Sequence, residues 1–209
     1  MLTRLEFASC YVYSNRGTSA AAQRARQLRT QIKRAEPVSL EQCAARVAAL
    51  SRADPRMGAF FGPDVTLVPA PGSAPRNKDS LWVPERIARA LQATGLAGAV
   101  DPILERVVAV PESAFAERGQ RPSVERHLEA MRVTSLLTTS ANLVLVDDVV
   151  TKGRTLLAAA SCLASAFPQA RVRAFALIRY RGFADELASF IEPVVGKIVW
   201  DGTDAVREP

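Results

Sequence analysis

The stretch that most constrains the fold is Leu143-Val-Leu-Val146, four consecutive apolar residues followed at once by Asp147-Asp148-Val149-Val150-Thr151-Lys152-Gly153-Arg154-Thr155. A short, continuous apolar run ended by polar turn residues reads as a strand buried on both faces. After Gly153 the apolar residues Leu156, Leu157, Ala160 and Leu163 recur at helical spacing, and Val172 to Ile178 is a second strand-like run. Strand, helix and strand in that order form a βαβ unit, whose strands are parallel and whose crossover is right-handed. The fold class is therefore α/β.

The remaining pattern extends this core in both directions. Val65-Thr-Leu-Val68 is a strand ended by Pro69-Ala-Pro71-Gly72, and Val83, Ile87 and Leu91 mark the helix after it. Ile103 to Val110 reads as another strand, Pro111 to Pro122 as a polar loop, and Ser123 to Met131 as a short helix or a hairpin strand. Upstream, Leu2 to Tyr13 is strand or irregular, and an Ala-, Arg- and Gln-rich helix follows Gly17. Ser39-Leu-Glu-Gln42 has the form of a capping box for a further helix carrying Leu40, Cys43, Val47 and Leu50. Downstream, a helix is expected near Phe183 to Phe190 and a strand around Lys197 to Trp200. A chain of 209 residues suits one domain with a lid. Residues 1–55 are expected to be a helical N-terminal extension or hood, and 180–209 a C-terminal hood segment.

The residues after Val146 carry the chemistry. Exposed backbone N–H groups and the positive end of a helix dipole attract phosphate, Thr151 and Thr155 add hydroxyl donors, and Gly153 lets the backbone approach closely. Asp147 and Asp148 would repel that phosphate, so they suit the hydroxyls of a sugar or a Mg²⁺ ion held through water. A plain helix cap needs only one such residue. Two adjacent aspartates and Thr-x-Gly-x-Thr exceed that need, and the spacing is neither that of a P-loop nor that of a dinucleotide fold.

This pattern resembles the PRPP-binding motif of type I phosphoribosyltransferases, PRPP being 5-phosphoribosyl-1-pyrophosphate. Across about Val65 to Trp200 the chain is most similar to the ComF-like branch, without the Cys-rich zinc element often found there. The resemblance implies a parallel sheet flanked by helices, the type I phosphoribosyltransferase fold, with a small hood or lid. It implies an enzyme, a glycosyltransferase moving phosphoribose from PRPP to a nitrogenous acceptor with Mg²⁺ on the pyrophosphate and no direct protein ligand to the metal. Asp147 and Asp148 are then the catalytic carboxylates on the ribose, and Val149, Val150, Thr151, Lys152, Gly153, Arg154 and Thr155 hold the 5-phosphate. Ala70, Pro71, Gly72 and Ser73 form the pyrophosphate loop. The loop from Pro111 to Arg126 stands where the family has a mobile flap, with Arg118, Arg121 and Arg126 as its cations and Arg76 and Lys78 as the next candidates. Arg179 and Trp200 fall where purine-salvage members bind the base. Type I folds also include non-catalytic PRPP or nucleotide sensors, a second reading. A third is an effector in DNA uptake or a toxin–antitoxin system.

Net charge of +6 fits a polyphosphate substrate or a nucleic-acid backbone equally, so a protein or nucleic-acid partner and a homo-oligomer stay open. Much of the excess lies in Arg24, Arg26, Arg29, Lys33 and Arg34, a pattern expected of a solvated helix face. Cys10, Cys43 and Cys162 are too widely spaced for a zinc site or a disulfide framework. Cys162 is expected in the core, and the single histidine, His127, in a charged stretch, is expected at the surface. Neither a signal peptide nor a membrane span is read, so a cytoplasmic location is expected.

Overall fold

The computed structural model describes residues 1–77, 80–111, 122–135, 141–182 and 186–209. Its centre is β6 (Asn142–Val150), followed by α6 (Arg154–Ala166) and β7 (Arg171–Tyr180), the βαβ unit expected from the sequence. β6 pairs in parallel with β7 on one side and with β2 (Gly62–Pro69) on the other. Leu143 and Leu145 pack toward α6 while Val144 and Val146 pack toward the opposite face, which is why the run is apolar at every position rather than at alternate ones.

Seven strands make the main sheet in the order β3-β2-β6-β7-β1-β8-β9, with β1 spanning Arg4–Tyr13, β3 Ala97–Val100, β8 Ile191–Trp200 and β9 Ala205–Glu208. The five strands from β3 to β1 run parallel, and β8 and β9 add antiparallel pairs at the far side. Helices cover both faces. One carries α1 (Ala20–Lys33), α2 (Pro37–Ala53), the single turn α3 (Pro55–Gly58) and α4 (Val83–Ala93). The other carries α6, α5 (Val124–Glu129) and a small hairpin of β4 (Leu104–Arg106) with β5 (Met131–Val133). This is an α/β architecture with a mostly parallel sheet between helices.

Several sequence expectations are corrected. The segment 1–55, read as an extension or hood, opens with β1, which lies inside the sheet between β7 and β8; residues Phe7 and Ala8 are fully buried there. Residues 180–209 likewise supply β8 and β9 to the sheet. The Ser39 capping box is not used. Pro37 opens α2 from an extended Glu36, because its fixed φ suits the first helical position, and Ser39 ends up buried inside the helix. Of the run Ile103 to Val110 only Leu104–Arg106 is strand; Val107 and Val108 are exposed, and Val110 N–H donates instead to the Ser73 carbonyl at 2.8 Å. Residues 123–131 divide between α5 and β5, so both readings of that segment hold in part. The expected helix near 183–190 is absent from 186–190, and residues 183–185 lie outside the described residues.

The topology places a site. The chain leaves the C-terminal end of β2 toward α4 on one face and that of β6 toward α6 on the other, while β2 and β6 lie side by side. Connections departing in opposite directions leave a crevice between the two strand ends, where open α/β sheets bind ligands. The two loops flanking it are the ones that follow Pro69 and Val150.

Candidate functional site

β6 continues past its apolar run and keeps its parallel ladder with β7 as far as Val150↔Arg179. The β2 ladder ends at Val146, and the β7 ladder alone, pairing Asp147 with Ala176 and Val149 with Ile178, holds the two aspartates in extended backbone despite their poor strand propensity. The chain then turns at Thr151 and Lys152 and enters α6 through Gly153. Gly153 has φ 91°, a left-handed conformation, and a Cβ there would stand 2.5 Å from Cδ1 of Ile198. Both constraints demand glycine.

Asp147, Val149, Val150, Thr151, Lys152, Gly153, Arg154, Thr155 and Leu156 line one concave recess over the first turn of α6. Seven of these are the residues expected to hold a 5-phosphate, and the structure brings all seven together. The first-turn amides of a helix have no intrahelical acceptors, so they are available to an anion in this recess.

The two aspartates differ. Asp147 is half-buried and lines the recess, while Asp148 is buried and turned toward α1, where Lys33 Nζ lies 2.5 Å from Oδ2. Each carboxylate also accepts the next amide, Asp148 N–H at 2.9 Å and Val149 N–H at 2.7 Å. Burial, and then the neighbouring Asp148 charge, push the Asp147 carboxyl up to about 7, although Lys33 opposes the rise. Asp147 is therefore a carboxylate short of positive partners. Lys33 carried no sequence signal beyond its place in a basic helix; the face of α1 is mostly solvated as expected, but its last residue turns into the site.

The cations within the recess are pinned by Asp204, a residue the sequence reading missed. Lys152 Nζ donates to Asp204 Oδ2 at 2.7 Å, and Arg154 donates to both oxygens at 2.5 and 2.7 Å. The Arg154 hydrogen bonds, with Lys152 and the Ala205 amide, hold the Asp204 carboxyl well below the usual range. The donors left facing the recess are accordingly backbone amides and threonine hydroxyls.

The loop after β2 stands at the other side of the crevice. Ala70 N–H donates to the Val146 carbonyl of β6 at 2.8 Å, the Trp82 indole donates to the Ala70 carbonyl at 2.8 Å, and Pro71 is buried while Gly72 is exposed. Arg106 Nε donates to the Gly72 carbonyl at 2.8 Å. Arg76 lies over the Trp82 ring, 4.7 Å from its centroid. Arg118, Arg121 and Lys78 lie outside the described residues.

Arg179 and Trp200, paired in the sequence reading, part company. Arg179 is buried, donates to Glu192 at 2.5 Å, and lines a second recess with Thr151, Lys152, Arg181 and Arg207. Trp200 packs against the core on the α6 side and lines neither recess. His127, expected at the surface, is buried beneath the cup, and Cys162 is half-buried against the α6-side core. Among the described residues no group of three or more His, Cys, Asp or Glu could hold a metal ion, and no helix is long and apolar enough to cross a membrane. Compared with known proteins, the chain matches no protein-family model and no curated protein.

Proposed function

We propose that this chain binds PRPP in the crevice between β2 and β6 and transfers its phosphoribosyl group to a nitrogenous acceptor, as a type I phosphoribosyltransferase with that family's fold. The observation that carries the reading is the recess formed by Asp147 and Val149 to Leu156, which sets an anion cup beside a carboxylate whose charge is disfavoured by burial and by Asp148. A phosphorylated sugar presents both complements at that separation: phosphate for the amides and the hydroxyls of Thr151 and Thr155, and vicinal hydroxyls for Asp147. The loop after β2, tied to the β6 strand by the Ala70 N–H to Val146 carbonyl bond and exposed at Gly72, is the neighbouring segment that suits the pyrophosphate end of the ligand.

In this reading the protein contributes position and charge. The cup fixes the 5-phosphate, Asp147 orients the ribose and stabilises the cationic character that develops as the pyrophosphate departs, and Asp148, clamped by Lys33, holds the strand end in place. Mg²⁺ suits a site of this composition as a companion of the substrate, screening the pyrophosphate charge, with Asp147 the residue to reach it through water. The acceptor would enter beside Arg179, in the recess that shares Thr151 and Lys152 with the cup.

Calorimetric titration with PRPP and Mg²⁺ tests the reading. Saturable binding by the wild-type protein that Asp147→Asn removes is expected, with pyrophosphate release in the presence of the right acceptor. Binding with no turnover across a panel of bases would make the chain a PRPP sensor, and equal affinity in folded Asp147→Asn would overturn the assignment.

A further inference from the structure

Beneath the cup runs a chain of buried polar contacts that the proposed chemistry does not by itself require. Arg106 on β4 and His127 on α5 are 2 % and 3 % exposed. Arg106 donates through Nε to the Gly72 carbonyl at 2.8 Å and through Nη1 to the His127 carbonyl at 3.3 Å, and its Nη2 lies 3.3 Å from His127 Nδ1. The other ring nitrogen, Nε2, lies 3.5 Å from the hydroxyl of Thr155 in the cup. A buried cation, an imidazole and a cup hydroxyl thus stand in series, joining the loop after β2 to the first turn of α6.

The chemistry of the donors fixes the direction of this series. A guanidinium has donors only, so the Nδ1 facing Arg106 must accept. A neutral ring that accepts at Nδ1 carries its proton on Nε2, and that proton points at Thr155 Oγ1. The hydroxyl then accepts from the ring, and its own proton is free for another acceptor. Without such a donor, a helical threonine hydroxyl commonly turns back to a carbonyl of the preceding turn. Burial, Arg106 and Arg154 together depress the imidazole to about 4, so the ring is neutral near pH 7.

We propose that His127 is a positioning residue for the cup: locked by Arg106 as the Nε2–H tautomer, it donates to Thr155 and turns that hydroxyl into a donor toward the bound phosphate. The inference rests on the PRPP-binding reading of the same recess. The contact to Thr155 is long, as hydrogen bonds at such sites often are before a ligand engages them, and it shortens as the phosphate draws on the hydroxyl. The same series ties the two loops that flank the crevice, because Arg106 holds Gly72 with one nitrogen and the ring with the others.

His127 is the chain's single histidine, so its ring nitrogens can be read without assignment ambiguity. Long-range ¹⁵N–¹H correlation spectra of the wild-type protein at pH 7 are expected to show a protonated Nε2 and an unprotonated, accepting Nδ1. The Nε2 resonance should move in Thr155→Val and move again when PRPP and Mg²⁺ are added to the wild type. Calorimetry with PRPP and Mg²⁺ is expected to show binding weakened about tenfold in both Thr155→Val and His127→Leu, the loss of one hydrogen bond to a charged ligand. The double variant should be no weaker than either single one, and His127→Gln, which keeps an N–H at that end, should recover most of the loss. A ring protonated on Nδ1, or additive losses in the double variant, would overturn the positioning role while wild-type binding of PRPP kept the proposed function intact. A wild-type protein that binds no PRPP would remove both.

Discussion

The cup over α6 and the recess around Arg179 share Thr151 and Lys152, yet they are built on different principles. The cup is one unbroken stretch of chain, and its available donors are amides, whose directions follow from the backbone, and the threonine hydroxyls carried on it. The second recess draws on the turn after β6 and on β7, β8 and β9, and its arginines are engaged with protein groups: Arg179 and Arg181 with Glu192, Arg207 with the Tyr180 carbonyl. A contiguous site of backbone donors is specified by local geometry. A dispersed site of long side chains is specified by tertiary packing, and its charges can be rearranged by a single substitution. The comparison implies that the cup will be brittle and the recess adjustable.

The hardest blow to the cup is Gly153→Val. It forces a branched side chain into left-handed backbone and against Ile198. We expect a loss of about 3 kcal/mol in denaturant unfolding, from backbone strain and steric overlap together, and no detectable PRPP binding. A variant of near wild-type stability would mean that the turn has more than one arrangement, and the contrast between the two sites would fail.

Next is acid sensitivity. His127 is depressed to about 4 in the folded chain against an ordinary 6.5, so the unfolded chain binds the extra proton between those values. Stability from this group is full above pH 6.5 and is lost as pH falls toward 4, by up to about 3 kcal/mol. Asp147 has the opposite sign. Its carboxyl is raised to about 7, so the folded chain holds a proton that the unfolded chain has shed, and stability is lost as pH rises from about 4 through 7. The two slopes oppose one another in the wild type. Unfolding curves against pH should separate them: His127→Gln removes the loss on the acid side, and Asp147→Asn is more stable than wild type at pH 8 while unable to bind PRPP. An Asp147→Asn variant less stable than wild type at pH 8 would show that the carboxylate is a structural group rather than one held in place for a ligand.

Asp204→Ala should do less. Its partners Arg154 and Lys152 are at most partly buried, so we expect about 1 kcal/mol of destabilisation. It also removes the negative charge that faces Lys152 and Arg154 beside the cup, and phosphate or PRPP affinity should rise and become more salt-dependent. Unchanged affinity at low salt would show that the cup is indifferent to its flanking charges. The smallest effect is expected from Glu192→Gln, whose carboxylate is more than a third exposed. PRPP affinity should stay as it is while acceptor preference moves toward more acidic compounds, measured as relative turnover across a panel. A fall in PRPP affinity would show that the two recesses are one site.

The same contrast explains what could be read from the sequence. Leu143 to Thr155 announced its strand, turn and helix because each step depends on neighbours in the chain: an apolar run buried on both faces, a glycine where only glycine fits, and a threonine in the first helical turn. Lys33, Arg106, His127 and Asp204 reach the same crevice from far along the chain, and nothing in their local surroundings says so. His127 was read as exposed because its neighbours Glu125, Arg126 and Glu129 are charged; on a helix of six residues they face outward while the ring turns inward. Leu2 to Tyr13 was read as strand or irregular within an N-terminal extension or hood for a related reason, since the place of β1 between β7 and β8 is decided by residues more than 160 positions away.

That placement of β1 also governs how the molecule can be made. Phe7 pairs with Ala174 on one side and with Gly196 on the other, so the earliest strand waits for the latest ones before its backbone is enclosed. β2, β3 and β6 can associate while β1 remains a hydrophobic strand with both edges open. Long-range closure of this kind slows folding and leaves a window in which an unpaired strand can capture the wrong neighbour.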